Sequence, residues 1–299
     1  MFRKIVRDDL LKRLLNAQVH DHYSSGKDEY LDHPESQGQI PAEFSHAAFR
    51  FGHAMVRHGY VLNDPEEQKG IDDIVLTTSS RRPGFLPFNR LWVIRWSRFF
   101  GIDGATPNLS RRIGPSLTGQ LDGDRLFGKF DAGVAGLAYR DLIRGASVPL
   151  RSVSSILQRV RSADWSCQLI ATISFLNDPQ SQATMIRDWL LELGSVSFSA
   201  EEIASLTRDP PLGFFILMEA ATVEDGTRLG PVGSVIVAEV FFRALSESEQ
   251  MFAGTFADGE SVDSLARAVF GGEVPPTMPA LVEAAADLCD LRSDAISFL

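Results

Sequence analysis

The sequence predicts a mainly α-helical protein, on three observations. Apolar residues recur at three- and four-residue spacings in segment after segment, strict apolar–polar alternation is scarce, and no internal repeat or low-complexity stretch interrupts the pattern. With 299 residues, 44% of them apolar and 23% charged, the chain has ample material for a core. Without a linker to divide it, residues 1–299 are expected to form one domain.

The elements follow in order. Residues 1–20 place Ile5, Val6, Leu10, Leu11, Leu14 and Leu15 on a helical period. His20 to Gln39 is polar, with Gly26, Pro34 and Gly38, and reads as a loop. Pro41 suits the first turn of a helix and Glu43 the positive end of its dipole. That helix is expected to run through His53 to about His58, with Gly59 as its C-terminal cap. Ile71 to Pro87 reads as irregular, with a turn at Ser79 to Pro83, and the aromatic stretch Pro87 to Phe100 as a helix.

Ala132 to Ile143 and Val153 to Val160 are predicted helices joined through Gly145 to Arg151. Further helices are expected at Gln182 to Glu192, Pro211 to Ala221, Gly230 to Leu245, Glu260 to Phe270 and Met278 to Leu291, with a loop at Glu224 to Thr227.

Composition removes several classes of function. A net charge of −10 would repel a phosphate backbone, so a nucleic-acid partner is not expected. Cys167 and Cys289 are too few for a disulfide framework and lack metal-type spacing. Asp8 and Asp9 interrupt the first fifteen residues, which therefore do not form the apolar stretch of a signal peptide. No apolar run approaches the roughly 18–20 residues of a membrane span. The expectation is a soluble, cytoplasmic chain.

All six histidines lie in the first 60 residues: His20, His22, His33, His46, His53 and His58. His46 and His53, seven apart on one predicted helix, share a face but stand too far apart to chelate one tetrahedral ion. His20 and His22 sit in a polar loop without nearby cysteines, which reads as solvated. His53 has different surroundings. Gly52 before it costs a helix about 1 kcal/mol relative to Ala, and close approach of a flat ligand is one reason to accept that cost. Phe49, Phe51, Ala54, Met55 and Val56 supply an apolar wall, and Arg50 lies one turn away, in reach of an anionic group. On these features alone His53 is more ordinarily a packed core or interface histidine, with a ligand as the alternative.

The stretch Pro41-Ala42-Glu43-Phe44-Ser45-His46-Ala47-Ala48-Phe49-Arg50-Phe51-Gly52-His53-Ala54-Met55-Val56 closely resembles the proximal helix of the animal-type haem peroxidase (peroxidase–cyclooxygenase) superfamily, bacterial branch. Three later segments agree with that family in order and spacing. Leu91 to Phe100 is similar to its tryptophan-rich helix, Leu137-Ala138-Tyr139-Arg140-Asp141-Leu142-Ile143-Arg144-Gly145 to the segment behind the proximal histidine, and Arg228 to Phe241 to its late helix.

The resemblance implies a haem peroxidase-like helical domain that binds haem iron, as b-type or covalently attached haem, through His53. It implies hydrogen peroxide as oxidant, a reducing substrate that it leaves unidentified, and Arg50, with Arg140 as a second candidate, near a haem propionate. It also places an asparagine partner of the proximal histidine just before Leu137-Ala138, where this chain has Gly136, so His53 is expected to need another acceptor. The family's distal histidine and catalytic arginine belong to helices preceding the segment that resembles Phe2 to Val6. No catalytic residue is therefore assigned here, and the distal half is expected from a longer chain or a partner chain. Beside this peroxidase reading stand a catalytically degenerate haem-binding or protein-interaction module of the same fold, and an α-helical scaffold without a cofactor.

Overall fold

The computed structural model describes residues 40–64, 66–78, 92–102, 104, 106–122, 124–127, 136–162, 178–192, 197–241 and 277–288. The predicted helices at 1–20 and 260–270, the loop at 20–39, the turn at 79–83 and both cysteines lie outside the described residues. Among the described residues the chain is mainly helical, as its periodicity predicts.

Along the chain run α1 (Ala42–His46), a 3₁₀ turn at Ala48–Arg50, α2 (Phe51–Ala54), β1 (Gly59–Val61), β2 (Gln68–Gly70), α3 (Ile71–Thr78) and a second 3₁₀ turn at Trp96–Arg98. Then come α4 (Gly119–Asp122), α5 (Asp124–Phe127), α6 (Leu137–Ala146), α7 (Val153–Ser162), α8 (Pro179–Glu192), α9 (Ala200–Arg208) and α10 (Leu212–Glu224). The described elements close with α11 (231–241) and α12 (Met278–Leu288).

The chain folds into two compact units that are interleaved in sequence, so no linker announces them. One comprises Met1–Met55, Arg112–Leu117 and Lys129–Ser246; the other comprises Val56–Arg111, Thr118–Gly128 and Glu247–Leu299.

The first unit is organised around α10. Its sequence, LGFFILMEAATVE, is apolar nearly all round, the signature of a helix buried on most sides. Leu212, Phe215, Ile216 and Ala220 join Phe44, Ala48, Phe51, Ile156, Leu229, Val232 and Ile236 in one core cluster. Each of the larger side chains contributes about 1.5–3 kcal/mol by leaving water.

A carboxylate sits in that core. Glu219 is 0% exposed and accepts hydrogen bonds from the amides of Val232 (3.1 Å) and Gly233 (3.2 Å). These amides belong to the first turn of α11, whose N–H groups have no partner inside the helix, so the carboxyl oxygens of Glu219 on α10 cap α11 across the core. The approach requires Gly230, since a Cβ there would lie 2.3 Å from Glu219 Cγ. At the end of α10, Asp225 and Gly226 turn left-handed (φ 50° and 65°) and Gly226 N–H donates back to Ala220 O at 2.9 Å. A Cβ on Gly226 would meet Ile113 O at 2.6 Å, so glycine is required there twice over.

The single helix expected from Pro41 to His58 is corrected to three short pieces. Ala47 leaves the helical region (φ −132°, ψ −75°) and separates α1 from the 3₁₀ turn. It lies where Gly213 brings the α10 backbone close: a Cβ on Gly213 would be 3.6 Å from Ala47 Cα. The helical part ends at Ala54, and Gly59 opens a strand instead of capping a helix. The helix α9, which periodicity alone left unassigned, begins at a capping box. Ser199 N–H donates to Glu202 Oε2 (2.7 Å) while Glu202 N–H donates to Ser199 Oγ (3.2 Å).

In the second unit β1 and β2 pair antiparallel, with Gly59 opposite Gly70 and Val61 opposite Gln68. Ile71–Thr78, expected to be irregular, is helical, with Asp72 and Asp73 in the first turn, where the dipole favours them. Arg125 bridges both carboxylates. The helix expected over Pro87 to Phe100 is absent from its described part, residues 92–100, apart from the turn at Trp96–Arg98. Arg95 is extended and its N–H donates to Leu62 O at 2.9 Å, so a bond to a distant strand end replaces the helical one. Asn108 completes this corner: its side chain donates to Val61 O (2.8 Å) and Arg98 O (2.9 Å) and accepts from Val61 N–H (3.1 Å).

Candidate functional site

The 3₁₀ turn and α2 project Arg50 and His53 toward α6 within the first unit. There Asp141 receives both. Its Oδ2 lies 2.6 Å from His53 Nδ1 and its Oδ1 lies 3.6 Å from Arg50 Nη1. The first contact is short and charge-assisted, whereas the second is an ion pair beyond hydrogen-bonding distance. Arg50 is held by its own segment as well, since its Nε donates to Ser45 O at 3.1 Å.

A carboxylate offers only acceptors, so Nδ1 is the protonated nitrogen of the neutral imidazole and Nε2 carries the lone pair. Among the described residues, Asp141 is the hydrogen-bond partner of His53, which leaves Nε2 unengaged. The side chains are partly shielded, at 30% exposure for His53 and 18% for Asp141, so the contact operates at a dielectric below that of bulk water.

The structure supplies the other acceptor that His53 is expected to need. Gly136 is the N-cap of α6 with φ 104°, a left-handed backbone that favours glycine, and it offers no side chain. The acceptor is Asp141, five residues further on, in the second turn of the same helix. Asp141 belongs to the Leu137 to Gly145 segment singled out in the sequence, but no role is legible for it there. An acidic residue on an amphipathic helix reads, by itself, as part of a solvated face. Arg140, the second candidate for an anionic group, is half-buried on α6 beside Asp141.

His46 and His53 do not share a continuous helical face, because the break at Ala47 intervenes. His46 hydrogen-bonds Ser45 Oγ at 2.9 Å, and His58, in the second unit, contacts Gln120. His20, His22 and His33 are outside the described residues. Among the described residues nothing lies within 4 Å of a Cβ placed on Gly52, so they do not force glycine there by crowding.

These residues fit an axially ligated haem. The donor is one imidazole with its second nitrogen fixed by a carboxylate, the arrangement that sets the tautomer and basicity of a metal-binding histidine. Among the described residues there is no group of three or more His, Cys, Asp or Glu able to hold an ion by themselves. Among these residues, too, no helix is long and apolar enough to cross a membrane.

No family model, no curated protein and no solved structure matches the chain.

Proposed function

We propose that this chain is a haem-dependent, peroxidase-like oxidoreductase in which His53 would hold the iron through Nε2. The observation that carries the reading is the 2.6 Å contact between His53 Nδ1 and Asp141 Oδ2, which orients the ring and leaves Nε2 as a donor. The resemblance of residues 41–56 and of three later segments to animal-type haem peroxidases supports the same assignment. It also supplies the fold that the mainly helical chain is proposed to share.

Haem iron, when bound, would supply the reaction of hydrogen peroxide and the oxidation of a reducing substrate. The chain's own contributions are binding and proton placement. His53 would hold the metal through Nε2. Asp141 keeps the proton of His53 on Nδ1 and raises the electron density of the ring. Arg50, 3.6 Å from Asp141, faces the other oxygen of that carboxylate. Proton transfer to and from peroxide requires a distal base and a cation, and no described residue is proposed for either role.

The test is a titration of the purified chain with hemin. A Soret band should form, and His53→Ala should abolish or shift it. An identical spectrum in the variant would end the axial-ligand assignment. Peroxide-dependent oxidation of a phenolic dye then separates a peroxidase from a haem-binding module without turnover.

A further inference from the structure

In the second unit, three arginines belong to the corner that Asn108 completes. Arg57 precedes β1, Arg98 ends the 3₁₀ turn at Trp96–Arg98, and Arg111 follows Asn108 by three residues. Hydrogen bonds tie these segments to one another. Arg57 Nη1 donates to Leu109 O at 2.7 Å and its Nε to Gly59 O at 3.3 Å, while the Asn108 N–H donates to Arg98 O at 2.6 Å. Tyr60 of β1 stacks on Phe99, and its hydroxyl accepts from the Arg57 N–H at 3.0 Å. The backbones that carry the three cations are therefore held beside one another.

These charges have no counter-charge among the described residues. The Arg57 guanidinium donates to backbone carbonyls there, and not to a carboxylate. Arg98 and Arg111 are half-buried, and neither guanidinium has a hydrogen bond or an ion pair among the described residues. Arg98 Nε and Arg111 Nη1 are shut off from solvent without an acceptor. Taking a cation partly out of water without a partner is unfavourable, and a buried donor without an acceptor adds to that cost. The remaining nitrogens of both groups are not shut off in this way, so a ligand arriving from solvent can reach them. Three positive charges at one corner favour a doubly charged anion over a singly charged one. The planar fork of a guanidinium matches two oxygens of a phosphate group.

We propose that this corner binds a phosphate group, as the free dianion or as the monoester of a small molecule, on the guanidinium groups of Arg98 and Arg111 and in the field of Arg57. The phosphate oxygens accept from the reachable N–H groups and offset the positive charge that packing has partly removed from water. The site lies in the second unit, whereas His53 and Asp141 belong to the first, so it does not depend on the haem reading.

Isothermal titration of the full chain, free of hemin and in a phosphate-free buffer of low ionic strength, tests this with inorganic phosphate, phenyl phosphate and acetate. Mildly alkaline pH keeps the phosphate doubly charged. Phosphate should bind at one site, and acetate about tenfold more weakly or worse, the difference of one charge-assisted contact. Phenyl phosphate binding more tightly than phosphate assigns the site to a monoester and the reverse order to the free ion, and either supports the proposal. Arg98→Met and Arg111→Met should each weaken phosphate about tenfold or more. Arg208→Gln, at an exposed position of α9, should leave the affinity unchanged. Phosphate should also raise the Tm of the unmodified chain, and raise it less in either Met variant. Far-UV circular dichroism establishes that each variant is folded, and the three-ligand comparison on the unmodified chain stands without them. Absence of phosphate binding, acetate binding as tightly as phosphate, undiminished binding in folded Arg98→Met and Arg111→Met, or an equal loss in Arg208→Gln would each overturn the proposal.

Discussion

Asp141 Oδ2 stands 2.6 Å from His53 Nδ1, although the two residues are 88 positions apart in sequence. The packing of α6 against α1 brings them together, and in the contact the imidazole acquires a fixed tautomer and a defined donor atom.

If that carboxylate positions the metal-binding ring, Asp141→Asn should keep the shape of the contact and weaken it. Outer-shell partners of this kind are worth about 10–100-fold in metal affinity. Hemin affinity, followed by absorbance titration, should fall within that range in Asp141→Asn and further in Asp141→Leu. An unchanged affinity in Asp141→Leu would separate Asp141 from the ligand.

The carboxylate of Glu219 makes the amide contacts that begin α11. Glu219→Ala leaves the Val232 and Gly233 N–H groups buried without that acceptor. A loss of about 3 kcal/mol or more is expected, since hydrogen bonds to charged groups are each worth about 1.5–3 kcal/mol. Urea denaturation measures it, and a change below about 1 kcal/mol would show that the helix end finds other partners.

Two glycines should resist substitution for different reasons. Gly230→Ala drives a methyl group into the Glu219 side chain, an overpacking that costs roughly 1–3 kcal/mol. Gly226→Ala meets the backbone oxygen of Ile113, which cannot move aside as a side chain can, and adds the penalty of a left-handed residue. The second variant should therefore be the less stable of the two in the same assay.

The capping box of α9 carries a pH signature. The Ser199 backbone N–H, and then its hydroxyl, hold the Glu202 carboxyl below the ordinary glutamate range. A depressed folded-state pKa gives stability that is present above the unfolded pKa and lost as pH falls through the folded value. The stability of the unmodified chain should therefore drop below about pH 4.5 more steeply than that of Glu202→Gln. Ser199→Ala should cost about 1 kcal/mol at neutral pH. Parallel acid titrations of the unmodified chain and Glu202→Gln, followed by circular dichroism, check the slope, and coincident curves would remove Glu202 from the account.

Periodicity located α6, α7, α8 and α10 to within a few residues, because each buries a face whose spacing is written in the chain itself. It also marked His53 and Arg50 as neighbours one turn apart. It failed where a distant backbone intervened. Ala47 breaks the first helix where α10 approaches, and Arg95 bonds to Leu62 O instead of continuing a helix.

What the sequence by itself determined is the class of structure and the first member of the site: a mainly helical chain with His53 set in apolar surroundings. The tertiary structure decided what His53 can do. It placed Asp141 against the ring and set Arg50 beside that carboxylate. The physical reason is that helical spacing governs which residues of one segment face the same way, while the partner of a polar group is chosen by how helices far apart in sequence pack against each other.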